Sequence, residues 1–228
     1  MNNYEKLEGM VAATFTPLDE NGDVNLSVID KYADWIASTP IKGVFVCGTT
    51  GEFSSLTIDE RKLILEKCLV SARKRFKVIA HVGSNCQRSA MELARHAAQV
   101  GADAIASIAP SFFKPGTVDE LVDFFAPICH SAAGLPFYYY NMPSITGVNL
   151  PVDKFLVEGK KKIPNLVGTK FTHNNLMEMG VCIELEQHRF EVLHGYDEIL
   201  ISGLAMGAVA GVGSTYNYIP NVYQAIFD

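Results

Sequence analysis

Eight short apolar runs, separated by helix-like patterns, constrain this chain more than any other feature. In order they are "MVAATFT", "GVFVCG", "KVIAHVG", "AIASIAP", "PFYYYN", "LVGTKF", "FEVLHG" and "AVAGVGS". Each is bounded by Gly, Pro, Asn or Thr, as strand ends are. They are apolar on both alternations rather than one, which predicts parallel strands covered on both faces. Between them the period changes to that of a helix. In "TIDERKLILEKCLVSARKRF" the apolar residues Ile58, Leu65, Leu69 and Ala72 recur at helical spacing, and Thr57-x-x-Glu60 reads as a capping box. Leu121, Phe124, Phe125 and Ile128 make a second face, opened by Thr117-x-x-Glu120. Leu93, Ala94, Ala97 and Ala98 make a third, stopped by Gly101, and Leu176, Met179 and Ile183 a fourth.

Strict alternation of strand and helix leaves two architectures, a doubly wound sheet or a closed (β/α)8 barrel. Eight strands and seven intervening helices favour the barrel. The nearest approach to a dinucleotide fingerprint, "GAVAGVGSTYN", lacks the third glycine and stands in the last unit. "GTTGE" places Glu52 where a P-loop needs its Gly-Lys-Ser/Thr. The expected fold is therefore α/β, a TIM barrel. The reading is one domain over residues 1–228, truncated after strand eight, with "IPNVYQAIFD" opening helix eight and the later C-terminal helices missing.

Composition narrows the function classes. With 48% hydrophobic and 19% charged residues the chain has the make-up of a soluble globular protein. A net charge of −6 excludes a broad basic footprint for nucleic acid. The two dense basic runs, "ARKRFK" and "GKKK", read as solvated ends, the first late in a helix where cations suit the dipole. Five scattered cysteines without a C-x-x-C pair suggest reduced thiols, with Cys68 and Cys182 as core residues. "MNNYEKLEG" has no apolar signal region, and residues 204–213 are too short and glycine-rich to span a bilayer. The expectation is a cytoplasmic protein with no membrane partner.

Barrel enzymes place their chemistry at the C-terminal ends of the strands. Applied here, that rule collects Thr49 and Thr50 after strand two, Tyr140 at the end of strand five and Lys170 at the end of strand six. It adds Asp197 and Glu198 after strand seven, and Gly213, Ser214 and Thr215 after strand eight. Gly48-Thr49-Thr50-Gly51 can offer N–H groups and hydroxyls to an anion, here a carboxylate rather than a polyphosphate. A lysine desolvated by the barrel wall is disfavoured as ammonium, and a neutral amine attacks a ketone to form a Schiff base. Tyr140 can shuttle the proton, and Asp197, Glu198 and Ser214 suit substrate hydroxyls. Taken singly, each residue has a plainer explanation. Lysines at strand ends snorkel, strand tyrosines pack, Asp197 can cap a helix, and His81 and His194 read as hydrogen-bonded core residues. With no carboxylate-rich cluster beside the histidines, no metal is expected.

The combination "CGTTGEFSSLTIDER", "YYYNMPSITG" and "LVGTKFT", in this order, resembles the pyruvate-dependent class I aldolases, the family that includes N-acetylneuraminate lyase and dihydrodipicolinate synthase. The resemblance covers essentially the whole chain, and the G-T-K motif comes thirty residues after the tyrosine of Y-N-x-P. It implies a (β/α)8 barrel, Schiff-base chemistry with no metal or cofactor, and homotetramers. By motif, Lys170 matches the Schiff-base lysine, Tyr140 the proton-transfer tyrosine, and Thr49 and Thr50 the pair that holds the 2-keto acid carboxylate. The synthase branch carries an arginine shortly after Y-N-x-P, where this chain has Ile145. It also carries a tyrosine after strand four, where this chain has Phe112 and Phe113. "GTKFT", "HGYDE" and "VGSTYNY" resemble the sialic acid branch, in which the residues matching Thr172, Gly195, Asp197, Glu198, Gly213 and Ser214 hold the sugar-derived chain. The expected reaction is cleavage of N-acetylneuraminate to N-acetylmannosamine and pyruvate. Two rivals stand beside it: another pyruvate aldolase of the family, and a keto-acid or sialic acid binder without catalysis.

Overall fold

The computed structural model describes residues 4–132 and 134–228. Eight parallel strands pair in sequence order and close: β1 (Gly9–Ala13), β2 (Gly43–Val46), β3 (Lys77–His81), β4 (Ala104–Ile108), β5 (Phe137–Asn141), β6 (Leu166–Phe171), β7 (Glu191–His194) and β8 (Ala210–Gly213), which returns to β1. The crossover helices are α1 (Ile29–Ala37), α2 (Ile58–Ala72), α3 (Gln87–Val100), α4 (Val118–Ser131), the short α5 (Pro143–Thr146), α6 (Val152–Lys162), α7 (Leu176–Glu184) and α8 (Leu200–Ala205). A last helix, α9 (Pro220–Phe227), follows β8 where the sequence suggested the start of helix eight.

The double-sided apolarity of the strands has a direct cause. Side chains alternate across a strand. One set, including Val11, Phe45, Ile79, Ala106, Tyr138, Tyr140, Leu193 and Val212, fills the barrel. The other, including Met10, Val44, Val78, Ile105, Phe137, Tyr139 and Phe171, packs outward against the helices. Cys68 and Cys182 belong to that outer layer. Closure between β8 and β1 is reinforced by Asn217. Its Nδ2 donates to the carbonyls of Ala13 (2.7 Å) and Ser214 (2.8 Å), and its Oδ1 accepts from the Tyr32 hydroxyl.

Of three local expectations, the first holds and the other two need correction. Thr57 and Glu60 form the full reciprocal capping box. Thr117 caps α4 through the Glu120 N–H, but the Glu120 carboxylate reaches past it to the Gly116 N–H at 2.6 Å. "ARKRFK" is not late in a helix: α2 ends at Ala72, and Arg73 and Lys74 follow in left-handed turns with φ of 48° and 58°. Arg75 nevertheless turns back onto the end of α2, donating to the carbonyls of Ser71 (2.8 Å) and Ala72 (3.2 Å), while Lys160, Lys161 and Lys162 lie in the last turn of α6. The sequence readings that touch residues 1–3 and Ala133, at the N-terminus and at the end of "ICHSAA", lie outside the described residues.

Candidate active site

Lys170 points into the barrel because of one extra residue. β5 and β6 run in register from Tyr138↔Gly168 to Asn141↔Phe171, but the register slips between Phe137 and Tyr138, leaving Val167 as an insertion. In a period-two strand a one-residue insertion exchanges the two faces. Leu166 faces the helices and Val167 the interior, and beyond the insertion Lys170 shares the inward face of its partner Tyr140. Gly168 makes room for the bulged strand, because a Cβ there would strike the Glu191 backbone of β7.

Lys170 is 3% exposed. Its Nζ lies 4.2 Å from the centre of the Phe45 ring and 4.1 Å from that of Tyr140. Ring faces attract a cation but do not accept its hydrogen bonds as a carboxylate does. Among the described residues no acidic side chain pairs with it. The Tyr140 hydroxyl lies 3.2 Å from Thr49 Oγ1 and donates to Met142 Sδ at 3.1 Å. Thr49 is exposed and Thr50 half-buried on the turn after β2, which the Glu52 and Phe53 N–H groups close onto the carbonyls of Thr49 (3.0 Å) and Gly48 (3.3 Å). This leaves the N–H groups of Thr49 and Thr50 without a backbone acceptor among the described residues.

The other predicted residues form one continuous arc beside the lysine. Thr172 is buried, and its Oγ1 has no partner among the described residues. Gly195 packs so closely on the Thr172 side chain that any Cβ would displace it. Asp197 is buried, and its Oδ2 accepts from the N–H and the hydroxyl of Thr215, at 2.8 and 2.5 Å. It is therefore a tie between the β7 and β8 loops rather than a cap. Gly213 lies against that carboxylate, where a Cβ would sit 2.7 Å from Asp197 Cβ. Glu198 is exposed on the short turn Asp197–Ile199, and Ser214 is half-buried at the start of the next.

His81 and His194 are core residues, as expected, but they differ. His81 Nδ1 contacts the Cys47 carbonyl at 2.8 Å, and Nε2 accepts from the Ile108 N–H at 3.4 Å. Burial, and then the Arg61 charge, hold its pKa well below the usual histidine range. His194 approaches Met179 Sδ at 3.4 Å, its Nε2 has no partner among the described residues, and burial lowers its pKa too. Sequence reasoning missed Phe45, Met142 and the buried Arg61, and it placed Thr215 at the mouth without its tie to Asp197. Phe45 was visible as an inward position of β2. The others had no signal, because loop packing and long-range contacts place them. Among the described residues no cluster of His, Cys, Asp or Glu has the makings of a metal site.

A parallel closed barrel with a buried lysine and a tyrosine at one mouth defines a class, and the chain belongs to it: residues 6–228 match the dihydrodipicolinate synthetase family. Within that family, the chain is 44% identical to the N-acetylneuraminate lyase of Homo sapiens over 218 residues, 94% of this chain and 68% of that protein. It is 46% identical to the N-acetylneuraminate lyase of Gallus gallus over 96% of this chain and 72% of that one. The native structure of the N-acetylneuraminate lyase (sialic acid aldolase) from Aliivibrio salmonicida superposes with a TM-score of 0.95 at 40% identity, covering 97% of this chain and 73% of that one.

Proposed function

We propose that this protein is a Schiff-base aldolase, a carbon–carbon lyase that reversibly cleaves N-acetylneuraminate to N-acetylmannosamine and pyruvate. The observation that carries the mechanism is the placement of Lys170 Nζ within the barrel, over the ring faces of Phe45 and Tyr140. Similarity to the named lyases supports the choice of substrate.

In the proposed cycle, the carboxylate of the open-chain substrate sits on the Gly48-Thr49-Thr50-Gly51 turn. Lys170 Nζ attacks C2, the carbinolamine loses water, and the iminium becomes an electron sink. Tyr140, held by Thr49, relays the proton released from the C4 hydroxyl, and the later protonation at C3 restores the balance. The C3–C4 bond breaks, its electrons pass into the iminium as an enamine, and N-acetylmannosamine leaves as the aldehyde. Protonation of the enamine at C3 and hydrolysis of the iminium release pyruvate and the free amine. Thr172, Gly195, Asp197, Glu198, Gly213 and Ser214 line the arc that takes the polyhydroxylated chain. The reaction as written needs no cofactor or metal. The proposal extends to a homotetramer in the cytoplasm. No helix among the described residues is long and apolar enough to cross a membrane.

Borohydride reduction in the presence of pyruvate tests the chemistry: the expected product carries a reduced pyruvate adduct on Lys170, located by peptide mass mapping. No added mass at Lys170 would sink the mechanism. Turnover of sialic acid against 2-keto-3-deoxy sugar acids tests the substrate. Cleavage of only the latter would move the protein to another aldolase of the family, and an adduct without any turnover would make it a binder. Light scattering checks the tetramer.

A further inference from the structure

We propose that His81 is a positioning residue: it holds the Cys47 carbonyl, and through it the left-handed backbone that aims the following Gly-Thr-Thr-Gly turn at the keto-acid carboxylate. This rests on the aldolase reading above. Cys47 is the last residue before that turn, and its φ is +54°, an uncommon conformation for a residue with a Cβ and here a buried one. His81 meets its carbonyl at 2.8 Å. A carbonyl can only accept, so Nδ1 must carry the proton. The Ile108 N–H can only donate, so Nε2 must be bare. Both neighbours therefore demand the same neutral tautomer.

The ring itself is fixed from every side. Phe45 and Tyr140, the two aromatic rings that face Lys170, have centres 5.8 and 5.7 Å from it, and Phe53, just past the turn, lies edge-on at 4.5 Å. Gly83 is in contact below, where a Cβ would approach Nε2 to 2.6 Å. Arg61, buried on α2, grips the carbonyls of His81 (2.7 Å) and Gly83 (2.9 Å) and so anchors the strand end that carries the ring. Burial lowers the Arg61 pKa to about 10 and keeps the Cys47 thiol protonated, so neither the grip nor the strained residue changes charge near neutrality. Both ring nitrogens are engaged by backbone groups, and among the described residues no hydrogen bond joins the histidine to the Lys170 amine. Its action runs through the backbone of Cys47.

Two amide variants separate this role from space filling. An asparagine amide can reach the position of Nδ1 and donate to Cys47, whereas a glutamine amide reaches the position of Nε2 and faces Ile108. The test titrates pyruvate against the fraction of chain trapped by borohydride, with kcat for sialic acid and thermal melting measured on the same samples. His81→Gln and His81→Phe are expected to raise the half-saturating pyruvate concentration about ten-fold, the usual consequence of losing one buried hydrogen bond. His81→Asn is expected to recover most of the wild-type affinity, although it is smaller and melts lower. If Asn and Gln bind pyruvate equally, or if folded His81→Phe binds like wild type, the inference is overturned. Wild-type protein that forms no adduct would instead overturn the aldolase reading, so the two failures are distinguishable.

Discussion

The two ends of the barrel handle a buried ionisable group in opposite ways. At the floor, Glu191 opens β7 and is buried, and its Oε2 accepts from the Leu7 N–H at 3.0 Å and the Tyr138 hydroxyl at 2.9 Å. Tyr138 is bonded in turn to Tyr4, so the N-terminal segment is strapped across the barrel base. At the mouth, Lys170 has two ring faces and Thr172 Oγ1 has no partner among the described residues. Buried polar groups in a stable core find partners. The floor obeys that rule with the protein's own atoms. The mouth leaves partners to be supplied, as a site that binds a ligand does. One end therefore serves stability and the other chemistry, and substitutions should separate the two.

The largest effect is expected at the mouth. Lys170→Met removes the nucleophile and should abolish the pyruvate adduct and lower lyase turnover by about three orders of magnitude or more. Because a buried polar group without a hydrogen-bond partner costs stability, the same variant should melt no lower than wild type in calorimetry. Tyr140→Phe keeps the ring face against Lys170 but loses the hydroxyl. It should reduce kcat by about 10²-fold or more while the borohydride adduct still forms.

The floor should reverse this pattern. Glu191→Ala strands the Leu7 N–H and the Tyr138 hydroxyl, and should cost about 3 kcal/mol in urea unfolding. Its pyruvate half-saturation, measured well below the melting temperature, should stay at the wild-type value. A loss of pyruvate affinity as large as that of a mouth variant would break the division between the two ends.

Two smaller effects sharpen it. Thr172→Val removes an unpartnered hydroxyl, so stability should be unchanged or slightly higher. KM for sialic acid should rise about ten-fold with the pyruvate adduct unaffected. The last concerns pH. Burial raises the Glu191 pKa above the usual carboxylate value, against the lowering effect of its hydrogen bonds to Leu7 and Tyr138. The folded state then holds this proton to higher pH than the unfolded state does. The resulting stabilisation is present in full below the unfolded value and is lost as pH rises through the folded one. Glu191→Gln, which does not titrate, should therefore gain on wild type as pH rises from about 4 through that window, and the gain should then level off. Urea midpoints of the two proteins against pH would show it.

Much of this was legible in the chain. The eight runs and their helical spacers specify the barrel because each residue's face follows from its local period, and capping residues such as Thr57 act on neighbours three positions away. Lys170, Tyr140 and Thr49 were readable because barrel strands all end at one mouth. The failures share a physical cause. "ARKRFK" overran its helix because backbone termination at Arg73 is a left-handed turn that no glycine announces. Asp197 was open to reading as a cap because its partner, Thr215, is 18 residues away.

The sequence by itself determined the alternation, the closure into eight parallel strands, and which residues would gather at the mouth. Tertiary structure alone decided which way they point and what they touch. The bulge at Val167 exists only in the pairing of β5 with β6, yet it turns Lys170 inward. The tautomer of His81 is set by a carbonyl 34 positions away in sequence and an N–H 27 away. Local period is a property of neighbouring residues and survives in the string of letters. Register, tautomer and the absence of a partner are properties of pairs that only folding brings together.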